Sequence, residues 1–321
     1  MTLTKYVLMG CLCLALPAWA DWVKPLEVHK VYGNGGHNAF TALVRFKGAL
    51  WLAFRSGEAH NSAIGKVMVM RLEDGEDWRE VFTFQPAKDS RDPQMVATAE
   101  KLYLYSPAMD GKKLDTWLTT TADGKTWSEA VKVYEPQFIL WKPCVHDGVF
   151  YAAAHRKDES SNGKTREVHF VRSADGVTWT KISTIRGGNW ETETTLYFDD
   201  KHHATAFLRQ KYGKPPGQLL EADPPYASWT GRTEGVPDFG GQSVHAFHGT
   251  VYLMSRHVEG GKPGLVIYTY ADGRLTPYCQ LPAGGDCAYA EAVEEGTHMR
   301  VSYYSTHEGA TNIYLATVPL K

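Results

Sequence analysis

The chain has 321 residues, enough for one large domain or two, and its 43% hydrophobic and 22% charged residues exclude an intrinsically disordered protein. Its 12 Phe, 17 Tyr and 10 Trp residues, together with 30 Gly, are typical of short strands joined by tight turns. The formal net charge of −2 argues against nucleic acid as a binding partner.

Residues 1–20 have the pattern of an export signal. Lys5 supplies a positive charge, residues 6–16 are apolar, and a small-x-small cleavage site ends at Ala20. The apolar run is too short to span a bilayer. We therefore predict a signal peptide at 1–20, a mature domain at 21–321, a periplasmic or secreted location, and no stable membrane insertion after cleavage.

Three cysteines remain in the predicted mature chain. Export permits a disulfide, and Cys279 and Cys287, which lie eight residues apart across a Pro-Gly-Gly turn, are spaced to form one. Cys144 lies in a strand-like segment and is predicted to be a buried thiol. No Cys/His spacing matches a structural zinc site, so the sequence predicts neither a metal nor a cofactor.

A heptapeptide recurs along the chain. It reads SADGVTW at 173–179 and TADGKTW at 121–127, and weaker copies carry Asp74, Asp223 and Asp272. Successive aspartates lie 48 to 52 residues apart, a period that is typical of a propeller or a solenoid. Because Asp, Ser and Thr bond nearby backbone and Gly permits a positive φ, each copy is predicted to form a turn.

The mature chain divides into six strand-rich units. Alternating β-branched and aromatic residues, bounded by Gly, Asp and Asn, mark the strands. The sixth unit lacks its last strand, whereas EVHKVY at 27–32 matches EAVKVY at 129–134 in four of six positions. We predict an all-β, six-bladed β-propeller of four-stranded antiparallel blades, in which residues 26–32 pair with 312–318 and close the last blade. Five blades is the alternative count.

The repeat phase predicts which side chains meet at the axis of the ring, where a ligand is expected. Arginines end the second strand of four units: Arg55, Arg156, Arg209 and Arg256. Converging guanidinium groups favour an anionic substrate, although strand-end charges in water or in ion pairs with nearby acids are the alternative. Further substrate-binding residues predicted at the axis are His37, Asn38, Trp141, Gln242 and Asp286.

The heptapeptides resemble the Asp-boxes of sialidases and other BNR-repeat propellers. The last unit, with CAYAEAV at 287–293, is similar to the sialidase segment in which a small residue precedes a nucleophilic tyrosine, so the resemblance implies that Tyr289 is the nucleophile. The fourth unit is similar to the stretch that runs from a catalytic glutamate to an arginine of the carboxylate-binding triad. This implies roles for Glu193 and Arg209, with Glu191 as an alternative to Glu193.

The first unit departs from the sialidase pattern. Where that family has an Arg-Ile-Pro motif, this chain has His37 and Asn38. The loop that holds the acid/base aspartate of the family offers Glu58 and His60 here, and Asp92 follows at the start of the second unit. These differences argue against sialic acid itself as the substrate.

Three classes of function follow from these residues. The first is a sialidase-like glycoside hydrolase that acts on an acidic or otherwise modified sugar. The second is a propeller polysaccharide lyase, and the third is a glycan-binding propeller without catalysis. The expected partner in each case is a carbohydrate, and fold alone does not choose between them.

Overall fold

The computed structural model describes residues 22–73, 77–110, 113–157, 166–211, 217–233 and 237–321. The predicted signal peptide and Asp74 lie outside these ranges. Within them, no helix has the length and apolarity that crossing a membrane requires.

The described residues form six four-stranded antiparallel blades arranged as a ring, which confirms the predicted β-propeller. The first blade contains β2 (His37–Phe46), β3 (Ala49–Gly57), β4 (Lys66–Leu72) and β5 (Arg79–Phe84). The second contains β6 (Gln94–Ala97), β7 (Leu102–Asp110), β8 (Lys113–Thr121) and β9 (Val131–Lys132). The third contains β10 (Ile139–His146), β11 (Val149–Lys157), β12 (Arg166–Ser173) and β13 (Thr180–Asn189).

The second half of the ring repeats this plan, and its last blade combines the two ends of the chain. The fourth blade contains β14 (Glu191–Phe198), β15 (Ala204–Gln210), β16 (Gly217–Ala222) and β17 (Thr230–Arg232). The fifth contains β18 (Ser243–Phe247), β19 (Thr250–Glu259), β20 (Lys262–Ala271) and β21 (Arg274–Leu281). The sixth contains β22 (Ala288–Glu295), β23 (His298–Glu308), β24 (Ala310–Pro319) and β1 (Glu27–Tyr32).

The N-terminal strand closes the ring as predicted. β1 pairs antiparallel with β24, from Glu27 opposite Thr317 to Tyr32 opposite Ile313. A parallel bridge between β2 and β24 joins the first blade to the sixth. The alternative of five blades is therefore wrong, and the edge that β24 would otherwise present is covered.

The two clear heptapeptides fold as turns that also join neighbouring blades. The backbone N–H groups of Val177 and Thr178 donate to Asp175 Oδ1 at 2.8 and 2.7 Å. Gly176 has a φ of 73°, and a Cβ there would lie 2.8 Å from the Tyr103 ring of the preceding blade. Because Tyr105 Oη donates to the Gly176 carbonyl at 2.7 Å, this turn of the third blade is fixed against the second.

The predicted disulfide is wrong, because Cys279 and Cys287 are both free and buried. Cys279 lies in β21, the outer strand of the fifth blade, where it pairs with Ile267. Cys287 precedes β22, the inner strand of the sixth. The chain between them crosses from the rim to the axis, which separates the two residues despite their short spacing in sequence. Cys144 is also free, but it is only half-buried.

Candidate active site

A backbone irregularity recurs where each inner strand begins at the axis. In five of the six blades this position has a positive φ: Phe40, Asp92, Lys142, Gly241 and Tyr289. In the fourth blade the register of β14 instead shifts between Glu191 and Thr194. Irregularities of this kind re-aim side chains, and residues in the left-handed region are enriched at functional sites. The repeat thus turns one position of each blade toward the axis.

The predicted pair of Tyr289 and Glu193 is in direct contact. Tyr289 Oη donates to Glu193 Oε1 at 3.0 Å, and both residues are buried. Arg209 Nη1 donates to the same oxygen at 2.7 Å, and the Gly241 N–H donates to Oε2 at 2.8 Å. Glu191 instead accepts from the Asn189 N–H, so Glu193 is the glutamate of the dyad.

The shared proton of Tyr289 and Glu193, the pair called the dyad here, stays on the tyrosine. Burial opposes the charge on Glu193, but Arg209, the Gly241 N–H and Arg256 outweigh it and lower the pKa of Glu193 to about 2. Burial, reinforced by the charge on Glu193, raises the pKa of Tyr289 well above its usual value. At neutral pH the site therefore contains a phenol that faces a carboxylate.

A second carboxyl group at the axis has the opposite tendency. Burial raises the pKa of Asp92, and the charge on Arg91 opposes this only in part. Arg91 Nε lies 3.5 Å from Asp92 Oδ2, while Asp92 Oδ1 is buried without a hydrogen-bond partner in the described ranges. Two carboxyl groups with pKa values pushed apart are the arrangement that acid/base catalysis uses.

The four strand-end arginines do not converge on one anion-binding site. Arg55 is fully buried; its Nε donates to Asp89 Oδ1 at 2.8 Å, and its Nη2 lies 2.7 Å from the same oxygen in an ion pair. Arg156 donates through Nε to Glu167 at 2.8 Å. These two arginines follow the ion-pair alternative, because a carboxylate already occupies each.

Arg209 and Arg256 are the arginines beside the dyad. Arg209 shares one nitrogen with Glu193, whereas the Arg256 guanidinium forms no ion pair with any residue that the structure describes. Its Nε is buried and has no hydrogen-bond partner among the described residues. Gly240 lies against the Arg256 side chain, and Arg256 contributes to the lowered pKa of Glu193. Arg256 is thus the arginine available to an anionic ligand.

The predicted residues of the first blade and their neighbours form a separate group. His37 Nε2 and His60 Nδ1 each lie 2.9 Å from Asp286 Oδ2, and Tyr304 Oη donates to Asp286 Oδ1 at 2.9 Å. Asn38 is buried and donates to the Thr311 carbonyl. The structure does not bring these residues or the exposed Glu58 into hydrogen-bond contact with the dyad.

Two further predicted residues lie beside the dyad as support. The Trp141 ring meets the Tyr289 ring edge-on, with 5.6 Å between the centroids. Gln242 Nε2 donates to the carbonyls of Glu193 and Phe207 at 2.7 and 2.9 Å. Gln242 therefore ties the backbone of the fourth blade in place, and its amide nitrogen is already engaged.

Sequence reasoning missed Arg91, Phe40 and Tyr304. The Arg91 guanidinium lies 5.4 Å from the centre of the Phe40 ring and donates to Asn61 Oδ1 at 3.0 Å. The Phe40 ring centre lies 4.9 Å from that of Tyr289 and 5.4 Å from that of Tyr304. A signal for Phe40 existed, because it holds the same repeat position as Tyr289.

A cavity of about 400 Å³ lies farther along the axis, away from the dyad. Its lining comes from all six blades and consists of Lys142, which is itself an irregular position, and of residues that follow the irregular positions. There Lys142 Nζ donates to Glu291 Oε1, and His245 Nε2 lies 3.0 Å from Glu291 Oε2. Burial lowers the pKa of Lys142 to about 7. Neither Tyr289 nor Glu193 lines this cavity.

Gly241 is a position where the dyad depends on a missing side chain. Its φ is 59°, and a Cβ would lie 2.5 Å from the Tyr289 ring. We expect Gly241→Ala to displace Tyr289 from Glu193 and to destabilise the protein by about 2–4 kcal/mol, combining left-handed strain with overpacking. Thermal unfolding and the dyad geometry in a crystal structure of the variant measure both effects.

Gly249→Ala is the matched control for this change. Gly249 has a φ of 75°, but nothing lies within 4 Å of the added Cβ. It should therefore show the backbone strain alone. If the two variants lose the same stability and Tyr289 stays in place, the proposed steric role of Gly241 is wrong.

No protein-family model matches the chain, and no curated protein sequence matches it either. Solved structures do match. A protein of unknown function from Dyadobacter fermentans superposes with a TM-score of 0.81 at 17% identity, over 94% of this chain and 100% of its own. Trypanosoma rangeli sialidase in complex with sialic acid superposes with a TM-score of 0.68 at 12% identity, and phage phi92 endosialidase with 0.70 at 9%.

The two enzyme matches cover most of this chain but only part of each enzyme. Both enzyme matches span 92% of this chain, but only 58% of the trypanosomal chain and 69% of the phage chain. The chain therefore has the six-bladed propeller fold that these sialidases contain. At 9–17% identity, the likeness concerns the fold and not the reaction.

Proposed function

We propose that this protein is a glycoside hydrolase of the sialidase type that acts on an acidic or modified sugar. The observation that carries the proposal is the buried hydrogen bond from Tyr289 to Glu193, whose carboxylate also accepts from Arg209 and from the Gly241 N–H. The fold that the chain shares with two sialidases supports it, and so do the heptapeptide turns, which we assign to the Asp-box class.

In the proposed mechanism, Tyr289 Oη attacks the anomeric carbon while its proton passes to Glu193 Oε1. The bond to the leaving oxygen breaks, and that oxygen takes the proton of Asp92. An aryl glycoside is formed. Ionised Asp92 then takes a proton from water as the water oxygen attacks the same carbon. The bond from that carbon to Tyr289 Oη breaks, Oη takes its proton back from Glu193, and the two displacements retain the configuration. The neighbouring carboxylate activates the phenol, which is a weak nucleophile at its ordinary pKa.

Asp92 is a better candidate for the acid than Glu58 or His60. It is buried at the axis, burial raises its pKa, and one of its oxygens has no partner in the described part of the chain. His60 is engaged with Asp286, and Glu58 is exposed. A general acid needs its proton at the working pH, which favours the carboxyl group with the raised pKa.

The pH dependence of turnover should follow from these two carboxyl groups. Asp92 must be protonated, so activity is present below its raised pKa and falls as the pH rises through it. Glu193 must be ionised, so activity is lost on the acid side as the pH falls toward about 2. We expect Asp92→Asn to remove the alkaline limb together with most of the activity. An unchanged alkaline limb in this variant would exclude Asp92 as the acid.

The prediction of an acidic substrate depends on Arg256, whose guanidinium forms no ion pair with the described residues. We expect Arg256→Ala to weaken binding of an anionic sugar by about 10- to 150-fold, equivalent to about 1.5–3 kcal/mol for a charge-assisted hydrogen bond. Arg156→Ala is the matched control, because Glu167 already occupies that arginine. Titration calorimetry with acidic and neutral sugars measures both. Equal losses in the two variants, or a preference for neutral sugars, would contradict the proposal.

Product analysis tests the reaction class directly. The protein is incubated with a panel of acidic polysaccharides and glycoproteins, and the products are separated. A released reducing sugar supports hydrolysis. An unsaturated uronate that absorbs in the ultraviolet would show the lyase alternative, and tight binding without any product would show the glycan-binding alternative.

We also propose that the protein acts outside the cytoplasm, on the basis of the signal pattern in residues 1–20. N-terminal sequencing of the protein recovered from periplasm or medium should begin at Asp21. A chain that begins at Met1 there would contradict cleavage after Ala20.

A further inference from the structure

Ring closure brings two imidazoles and one carboxylate together beside the dyad. We propose that His37, His60 and Asp286 bind a divalent transition-metal ion, with Zn²⁺ as the ion best suited to the ligand set. Cysteine and histidine spacing alone predicts no metal, so this proposal departs from that prediction. The inference does not depend on the proposed hydrolase reaction.

The spacing of the three ligand atoms carries the proposal. His37 Nε2, His60 Nδ1 and an oxygen of Asp286 lie within 4.8 Å of one another, and each nitrogen is 2.9 Å from Asp286 Oδ2. Zinc bonds of about 2.0–2.1 Å in a tetrahedron place neighbouring ligand atoms about 3.3 Å apart. A separation of 2.9 Å therefore needs to widen by only a few tenths of an ångström.

The carboxylate is held in position from behind. Tyr304 Oη donates to the oxygen of Asp286 that faces away from the histidines, at 2.9 Å. The Asp286 N–H donates to Thr306 Oγ1 at 2.8 Å, and Thr306 Oγ1 donates to the Asp286 carbonyl at 2.9 Å. Metal sites depend on outer partners of this kind, which orient the ligands before the ion arrives.

The two histidines differ in their exposure to solvent. His37 is buried at the start of β2 and packs against the Phe40 and Tyr304 rings. The His60 side chain is 53% exposed on the loop between β3 and β4, so an ion can reach the cluster from solvent on that side. Neutral imidazole with carboxylate is a ligand set that zinc and neighbouring divalent ions share.

The position of the site has two consequences. His37 and His60 belong to the first blade and Asp286 to the sixth, so a bound ion links the two blades at which the ring closes. Three protein ligands also leave a coordination position open for water or another oxygen. The Phe40 ring lies between the cluster and Tyr289, with centroid distances of 5.4 Å to His60 and 4.9 Å to Tyr289.

A second candidate cluster provides the control. His146, Asp147 and His202 also lie within 4.8 Å of one another, on turns of the third and fourth blades. Two of these side chains, Asp147 and His202, are exposed over more than half of their area. Zinc binding to the protein as a whole would not distinguish the clusters, so the test compares His60→Ala with His202→Ala. Both residues are exposed, so neither change disturbs the core.

The test uses the full chain stripped of metal. Zn²⁺ affinity is measured by calorimetry, Co²⁺ coordination by visible absorption, and thermal unfolding with and without Zn²⁺. We expect one tight site in the wild type and in His202→Ala, and a weakening by more than about 100-fold in His60→Ala. Tyr304→Phe, which loses only the outer hydrogen bond, should weaken binding by about 10- to 100-fold.

Two outcomes would overturn the proposal. One is tight Zn²⁺ binding that survives in His60→Ala and disappears in His202→Ala, because the ion would then occupy the other cluster. The other is a wild-type chain that binds Zn²⁺ only weakly and gives no tetrahedral Co²⁺ spectrum, because His37, His60 and Asp286 would then form a hydrogen-bonded cluster alone.

Discussion

Replacing Tyr289 by Phe is expected to reduce turnover by about 10³-fold or more, while the melting temperature and most of the ligand affinity remain. The change removes only the oxygen that contacts Glu193 at 3.0 Å. The ring keeps its edge-on contacts with Phe40 and Trp141, so packing at the axis is preserved. Steady-state kinetics, calorimetry and thermal unfolding of the same preparation measure the three quantities.

Tyr303→Phe is the matched control for this experiment. Tyr303 is also a buried tyrosine of the sixth blade, but its hydroxyl donates to the Pro282 carbonyl at 3.0 Å and not to a carboxylate. It should keep full turnover. If Tyr289→Phe does so as well, Tyr289 is not the nucleophile. Product analysis accompanies the kinetics, because loss of activity alone does not separate a hydrolase from a lyase.

Deletion of residues 21–32 is expected to destabilise the whole ring. It removes β1, exposes the backbone edge of β24, and uncovers apolar residues that Val28, Val31 and Tyr32 pack against. Each lost hydrogen bond of the ladder costs about 1 kcal/mol. The summed loss approaches the free energy of unfolding of a typical domain, which is about 5–15 kcal/mol. Thermal unfolding and size-exclusion chromatography should show a low melting temperature and self-association.

Lys30→Ala is the control for this deletion, because it removes one side chain of β1 and leaves the backbone pairing of the strand intact. Lys30 makes an exposed ion pair with Glu308 at 3.3 Å, and pairs of that kind contribute about 0–1 kcal/mol. The variant should therefore unfold almost as the wild type does. An unchanged melting temperature after deletion of 21–32 would show that the ring is stable without this closure.

The fold was predictable because its signals are local and repeated. The period near 50 residues and the likeness of 27–32 to 129–134 gave both the blade count and the closing strand. The contact of Tyr289 with Glu193 was predictable through the resemblance to sialidases. Composition and spacing alone would not have singled out one buried tyrosine among 17.

The pairing of the arginines was not predictable, because it depends on residues brought in by other segments. Arg156 is neutralised by Glu167, which lies opposite it on the neighbouring strand β12. Arg55 is neutralised by Asp89, 34 residues farther along the chain. The repeat predicts the strand position at which each arginine lies, but it does not predict which carboxylate pairs with its guanidinium group. Similarly, the eight-residue spacing of Cys279 and Cys287 gave no sign that the chain crosses a blade boundary between them.

The closing strand also constrains the order in which the molecule assembles. The two strands that meet at Glu27 and Thr317 are 290 residues apart in the chain, so β1 is synthesised before the first five blades and β24 after them. The blade that completes the ring therefore forms last, after five blades have emerged. Contacts of such high sequence separation make folding slow. β1 therefore has no partner strand until β24 has been synthesised, and the ring stays open until then.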